Sequence, residues 1–140
     1  MDRISKEHRS WNMSRITGRN TEPERTVRSA LHRAGFRFRL HPKNLPGRPD
    51  IVLPKYGAVI FVNGCFWHRH RGCPYAYQPK SRKAFWRAKF DGTVKRDAVK
   101  ARQLRRAGWR VFTIWECDTY QNAALEGKLG LISRRLALSH

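Results

Sequence analysis

The run Ala58-Val59-Ile60-Phe61-Val62 constrains the fold more than any other segment. It is short, largely β-branched or aromatic, and apolar at every position, so a strand built from it must be buried on both faces. Such a strand sits inside a sheet that has helices above and below it. The flanking sequence supplies those layers. Thr21-Glu22-Pro23-Glu24 has capping-box spacing with Pro in the first turn, and Val27, Ala30, Leu31 and Ala34 follow at helical intervals up to Gly35. Phe36, Phe38 and Leu40 alternate with Arg37 and Arg39, which predicts a half-buried strand. A Pro- and Gly-rich loop, Asn44 to Pro49, leads through Asp50 into a second apolar strand, Ile51-Val52-Leu53, and a turn over Pro54 to Gly57. Basic helices are predicted near Lys83 to Phe90 and Val94 to Ala107, then a strand from Trp109 to Trp115 and an amphipathic helix from Ala123 to Leu138. This order of helix, three strands, two helices, strand and helix predicts an α/β fold with a central mixed sheet flanked by helices.

The chain has 140 residues, the size of one domain. Residues 1–20 are polar and basic and are expected to form an N-terminal arm, with the folded domain spanning 21–140. No run approaches the roughly 18 apolar residues that span a bilayer. Met1 to Met13 lacks the apolar stretch of a signal peptide, so no membrane association and a cytoplasmic protein are expected.

Thirty Lys and Arg against ten Asp and Glu give a formal net charge of +20. A polyanionic partner relieves that self-repulsion, and neutralising nucleic-acid phosphates also releases counterions. An anionic membrane or a ribosome-like assembly is the alternative. The positive charges are spread through folded segments rather than held in one tail, which favours nucleic acid.

Cys65, His70, Cys73 and Cys117 form a candidate metal set, with Cys-x4-His-x2-Cys in one irregular loop and the last ligand after the Trp109 to Trp115 strand. Zinc takes four such ligands in a closed structural site. Buried free cysteines acting as small hydrophobes are the alternative, and His68 and His41 are rival fourth ligands. Asp50, at a loop-to-strand junction near the end of the apolar strand at Val62-Asn63, suits a magnesium-dependent phosphodiesterase. Each acid or base also has a plainer reading. Asp50 can be a strand-start residue, Glu24 a capping-box residue, His68 a solvated loop histidine, and Asp97 a partner of Lys95, Arg96 or Lys100.

Taken in order, Asn12-Met13-Ser14, Thr21-x-x-Glu24, Leu45-Pro46-Gly47-Arg48-Pro49-Asp50 and Phe61-Val62-Asn63-Gly64-Cys65-Phe66-Trp67-His68 form a pattern. It continues through His70, Cys73, Arg96-Asp97, Gly108-Trp109-Arg110-Val111 and Trp115-Glu116-Cys117. The pattern resembles the very-short-patch-repair (Vsr) endonucleases from about Asn12 to Cys117. The resemblance implies a restriction-endonuclease-like fold and an enzyme that nicks DNA on the 5′ side of the T in a T:G mismatch left by deaminated 5-methylcytosine. It implies that Asp50 and the backbone carbonyl of Val62 ligate Mg2+, that His68, held by Asp97, is the general base for the attacking water or orients it, and that Glu24 organises metal-bound water. Cys65, His70, Cys73 and Cys117 would hold structural Zn2+. Phe66 and Trp67 would insert beside the mismatch, with Met13 wedging from the other groove. The sequence departs from the family's pattern at Asn63, where an ionisable Asp or His is usual, which implies weaker activity if that side chain assists the metal. The implied partners are mismatched duplex DNA and other repair proteins, and the implied setting is a monomer at a bacterial nucleoid. Two other readings stay open: a zinc-containing DNA-binding protein with little or no nuclease activity, and a related nuclease with a different DNA substrate.

Overall fold

The computed structural model describes residues 21–138. The predicted arm over residues 1–20, Met13 included, lies outside that range. Helix α1 (Glu22–Arg33) begins as the capping residues dictate, with the Thr21 hydroxyl accepting from the Glu24 N–H at 3.4 Å. It ends at Gly35, whose φ of 87° lets the chain turn back so that the Phe36 N–H donates to the Leu31 carbonyl. Strands β1 (Arg39–Leu40), β2 (Ile51–Leu53), β3 (Ala58–Asn63) and β4 (Arg110–Trp115) form one four-stranded sheet in that order. The first two junctions are antiparallel and β3–β4 is parallel, so the sheet is mixed, as expected. Helix α2 (Lys83–Arg106) connects the parallel pair, and α3 (Asn122–Leu138) closes the described chain.

β3 is the interior strand its sequence calls for. Ala58 and Ile60 face one layer together with Ile51, Leu53 and Ile114, against Val27 and Leu31 of α1 and Leu125, Leu129, Ile132 and Leu136 of α3. Val59 faces the other way, with Val52, towards Leu104 of α2 and the flanking Leu45, Phe61, Trp109 and Val111. The layers are therefore α1 and α3, the sheet, and α2.

Two sequence expectations are corrected. The two helices predicted near Lys83 to Phe90 and Val94 to Ala107 are one continuous helix. Gly92 does not break it, and the Arg96 guanidinium lies over the glycine. An interior glycine costs only about 1 kcal/mol, which the packing of Phe90 and Leu104 on either side outweighs. The strand predicted from Phe36 to Leu40 pairs only at Arg39 and Leu40, and in that register Phe36 and Arg37 fall opposite the 3-10 turn at Pro54–Tyr56, beyond the end of β2. Phe36 and Phe38 still pack on the core, Phe36 edge-on to Tyr56 with ring centroids 5.9 Å apart.

Candidate active site and metal centre

The antiparallel β2–β3 pair places the start of β2 beside the end of β3, and the parallel β3–β4 pair brings both carboxyl ends to the same edge. Crevices for ligands form at such ends. Here a cleft of about 340 Å³ collects Glu24 from α1, Asp50 before β2, Val62 and Asn63 from β3, Trp67 and His68 from the following loop, and Asp97 from α2. The residues predicted for catalysis are thus brought together, from segments far apart in the chain.

Asp50 Oδ2 accepts the Val62 N–H at 2.7 Å. Burial, outweighing that hydrogen bond, and the neighbouring Glu24 carboxylate push the Asp50 carboxyl up to about 7. Glu24 itself is 2% exposed. Its Oε2 accepts from Arg28 at 3.1 Å, and its Oε1 lies 2.8 Å from His41 Nε2. His41 therefore belongs to the carboxylate cluster and not to the cysteine set. Its backbone N–H donates to the Asp50 carbonyl, and its φ of 46° is left-handed, a conformation that His tolerates better than most residues. Across the cleft, His68 Nδ1 lies 2.6 Å from Asp97 Oδ2. A carboxylate only accepts, so Nδ1 carries the proton and the lone pair of a neutral ring is on Nε2.

The loop after β3 carries the second cluster. The donor atoms of Cys65, His70, Cys73 and Cys117 all lie within 4.8 Å of one another. His70 Nδ1 is 3.6 Å from Cys65 Sγ and 3.4 Å from Cys117 Sγ. A tetrahedron with metal–sulfur bonds of about 2.3 Å and metal–nitrogen bonds of about 2.05 Å has S···N edges of roughly 3.6 Å, so the set fits zinc. The His70 ring is stacked on Trp115 at 4.2 Å and 9°, which fixes its orientation. Burial pushes the Cys65 thiol up to about 12 and raises Cys117 too, so neither ionises readily without a cation. Glu116 joins the two clusters. It lines the cleft, accepts the Cys65 N–H at 3.3 Å through Oε1, and accepts the Tyr120 hydroxyl at 2.6 Å through Oε2.

Phe66 does not stand free. Its ring centroid lies 4.9–5.6 Å from those of Trp67, Tyr77, Trp86 and Phe90. Arg69 caps the group with its guanidinium 3.9 Å from the Phe90 ring centroid, and it ties the loop together by donating to the Phe66, Ala76 and Tyr77 carbonyls. Sequence reasoning missed the α2 half of this cluster, although the 85, 86 and 90 spacing of Phe85, Trp86 and Phe90 signals one aromatic helix face. It also missed Arg69, Glu116 and the placement of His41.

Among the described residues, no helix is long and apolar enough to cross a membrane.

Comparison with known proteins agrees with this geometry. A family model described as DNA mismatch endonuclease Vsr matches residues 1–74. A type II nicking enzyme, V.XorIIP of Xanthomonas oryzae pv. oryzae, is 48% identical over 91% of this chain and 93% of its own length. The type II nicking enzyme V.NmeAIP of Neisseria meningitidis is 38% identical over 91% of both chains. The DNA mismatch endonuclease Vsr of Escherichia coli is 43% identical over 78% of this chain and 69% of its own. In structure, the catalytic domain of the homing endonuclease I-Bth0305I superposes with a TM-score of 0.55 over 86% of this chain and 98% of its own, at 21% identity. That likeness carries the fold alone, a mixed sheet flanked by helices as expected from the sequence. The α/β fold, the cleft of acids and histidine and the extent of the sequence match lead to one assignment: this chain belongs to the Vsr family of DNA endonucleases.

Proposed function

We propose that this endonuclease nicks one strand of duplex DNA on the 5′ side of the T in a T:G mismatch, by magnesium-dependent hydrolysis. The observation that carries this reading is that Asp50 and the His68–Asp97 pair line one cleft. Asp50 and the carbonyl of Val62 would hold Mg2+, with Glu24 ordering water around it. The donor chemistry fits: oxygen ligands suit a hard cation, and a buried acid pair that holds Asp50 at about 7 favours a divalent ion that neutralises it. Bound there, magnesium would offset phosphate charge and polarise the attacking water. His68 Nε2 takes the proton from that water, and Asp97 holds the ring in the required tautomer and stabilises its protonated form.

The cysteine set and His70 would carry structural Zn2+, which clips the loop bearing Phe66, Trp67 and His68 to the turn after β4. Trp67 lines the cleft beside His68, which supports its insertion next to the mismatch, and Phe66 would join it only by leaving the rings of Tyr77, Trp86 and Phe90. A mismatched step unstacks at lower cost than a paired one, which adds selectivity. Met13 would wedge from the opposite groove. Asn63, also in the cleft wall, keeps a hydrogen-bonding group where the family's pattern has an ionisable one. One cleft suffices for a nick, so the working form is a monomer acting on nucleoid DNA in the cytoplasm, alongside other repair proteins.

The Asp50→Ala variant tests the site. It is expected to bind mismatched duplex as well as the parent chain, measured by fluorescence anisotropy, while nicking is lost. Nicking that survives the substitution refutes the assignment. The reading as a catalytically silent DNA-binding protein predicts no change in either measurement.

A further inference from the structure

Three cationic side chains line the catalytic cleft, Arg48, Arg96 and Lys100, and they are not equivalent. Arg96 is folded back along its own helix, donating to the Thr93 hydroxyl at 3.3 Å and lying over Gly92. Arg48 is exposed. Lys100 is half-buried, stands one helical turn beyond Asp97 on the same face of α2, and among the described residues has no carboxylate within ion-pair distance. Its aliphatic stem is pressed against Gly47 in the loop that delivers Asp50. A Cβ at Gly47 would lie 2.6 Å from Lys100 Cγ and 2.7 Å from its Cβ, so the glycine makes room for this lysine. The charge of Lys100 is also felt at Asp50, where it opposes the upward push of burial and Glu24.

A half-buried ammonium with a held stem, no ion pair among the described residues and a place in the cleft where its charge reaches Asp50 is suited to more than general attraction to DNA. We propose that Lys100 is a catalytic residue whose ammonium binds a non-bridging oxygen of the scissile phosphate. This rests on the proposed active site around Asp50. As the water oxygen bonds to phosphorus and one phosphorus–oxygen ester bond breaks, negative charge grows on the non-bridging oxygens. A fixed cation in a partly dry cleft stabilises that charge more than the ground state. The water proton goes to His68, and the departing oxygen is protonated from solvent. Lys100 transfers no proton.

The test is single-turnover nicking by the whole 140-residue chain, loaded with zinc, with saturating T:G duplex, alongside duplex affinity at several salt concentrations. Lys100→Met is expected to slow nicking about 10²-fold, while duplex Kd changes by less than about threefold and the salt slope barely moves. Lys100→Arg is expected to recover at least about tenfold of that loss. For Lys100→Ala, methylammonium is expected to restore rate, whereas tetramethylammonium at equal ionic strength is not, because only the former donates hydrogen bonds. A merely structural lysine gives no such rescue, and the rescue needs only the folded fraction of the variant. Two results overturn the proposal: an unchanged nicking rate in Lys100→Met, or a weakened Kd with the salt slope lower by about one and no rate loss, which marks a plain phosphate contact. Asp50→Ala, run in parallel, separates the two levels. If it retains nicking, the active-site reading falls and Lys100 with it. If it abolishes nicking while Lys100→Met does not slow it, only the Lys100 assignment falls.

Discussion

Replacing Asp50 by Asn removes a charge that the fold makes costly, and is expected to raise stability at the expense of function. Burial, together with Glu24, raises the Asp50 carboxyl from 3.8 to about 7. Between those values the folded chain holds a proton that the unfolded chain has released. Stability of the cation-free protein therefore falls as pH rises through that window, and the loss is complete above it. Each unit is about 1.36 kcal/mol, so the ceiling is about 4 kcal/mol. Relaxation and water entry, and the weaker hydrogen bond that the Val62 N–H makes to an amide oxygen, reduce this to about 1–3 kcal/mol. At about 3–4 °C per kcal/mol for a domain of this size, Asn should raise Tm by roughly 3–10 °C near pH 8 and by almost nothing near pH 4. The assay is thermal unfolding followed by circular dichroism, in divalent-free buffer without chelator so that the cysteine site keeps its metal. Added magnesium should then stabilise the parent chain and leave the variant unchanged. An Asn variant less stable than the parent near pH 8 without magnesium would refute the reasoning, because it would mean that the carboxylate is already neutralised by its surroundings.

Four further outcomes follow from the same geometry. Asp97→Asn frees His68 to adopt the wrong tautomer and should lower the single-turnover rate at least about 10²-fold with little change in duplex affinity; an unaltered rate removes Asp97 from the mechanism. Cys117→Ala should abolish stoichiometric zinc, measured by atomic emission, and cost on the order of 3 kcal/mol or more in thermal stability, whereas full retention of both would show that the set is not a metal centre. Gly47→Ala places a methyl group against the Lys100 stem at a φ of 72°, so it should destabilise the chain by about 1–2 kcal/mol and slow nicking as Lys100 shifts; neutral behaviour in both would mean that the loop yields. Asn63→Asp adds a carboxylate to the cleft wall and should raise the nicking rate about tenfold at limiting magnesium, and no gain would place Asn63 outside the metal's reach.

Much of this was legible in the sequence because it depends on local patterns. The doubly apolar run at Ala58 to Val62 dictated an interior strand and thus the layers, and Thr21 with Pro23 dictated the start of α1. What local pattern could not supply was length and partnership. Whether Phe36 to Leu40 pairs along its whole span depends on how far β2 runs, and whether Gly92 ends a helix depends on the packing of the residues on either side of it. The cysteine–histidine set could be named from residue types, but among His41, His68 and His70 it is the fold that brings His70 to the cysteines, while it carries His41 to Glu24 beside Asp50 and His68 to Asp97. The roles of Lys100 and Glu116 were illegible for the same reason: a lysine on a basic helix and a glutamate after a strand acquire meaning only from the cleft they line.

The central claim is best tested with end-labelled duplexes carrying a single T:G mismatch in varied contexts, incubated with the protein and magnesium beside matched T:A and C:G controls. A single nick is expected, in the T strand only, on the 5′ side of the mismatched T, with matched duplexes intact. Cleavage of matched and mismatched duplexes at equal rates would keep the endonuclease and contradict the mismatch assignment.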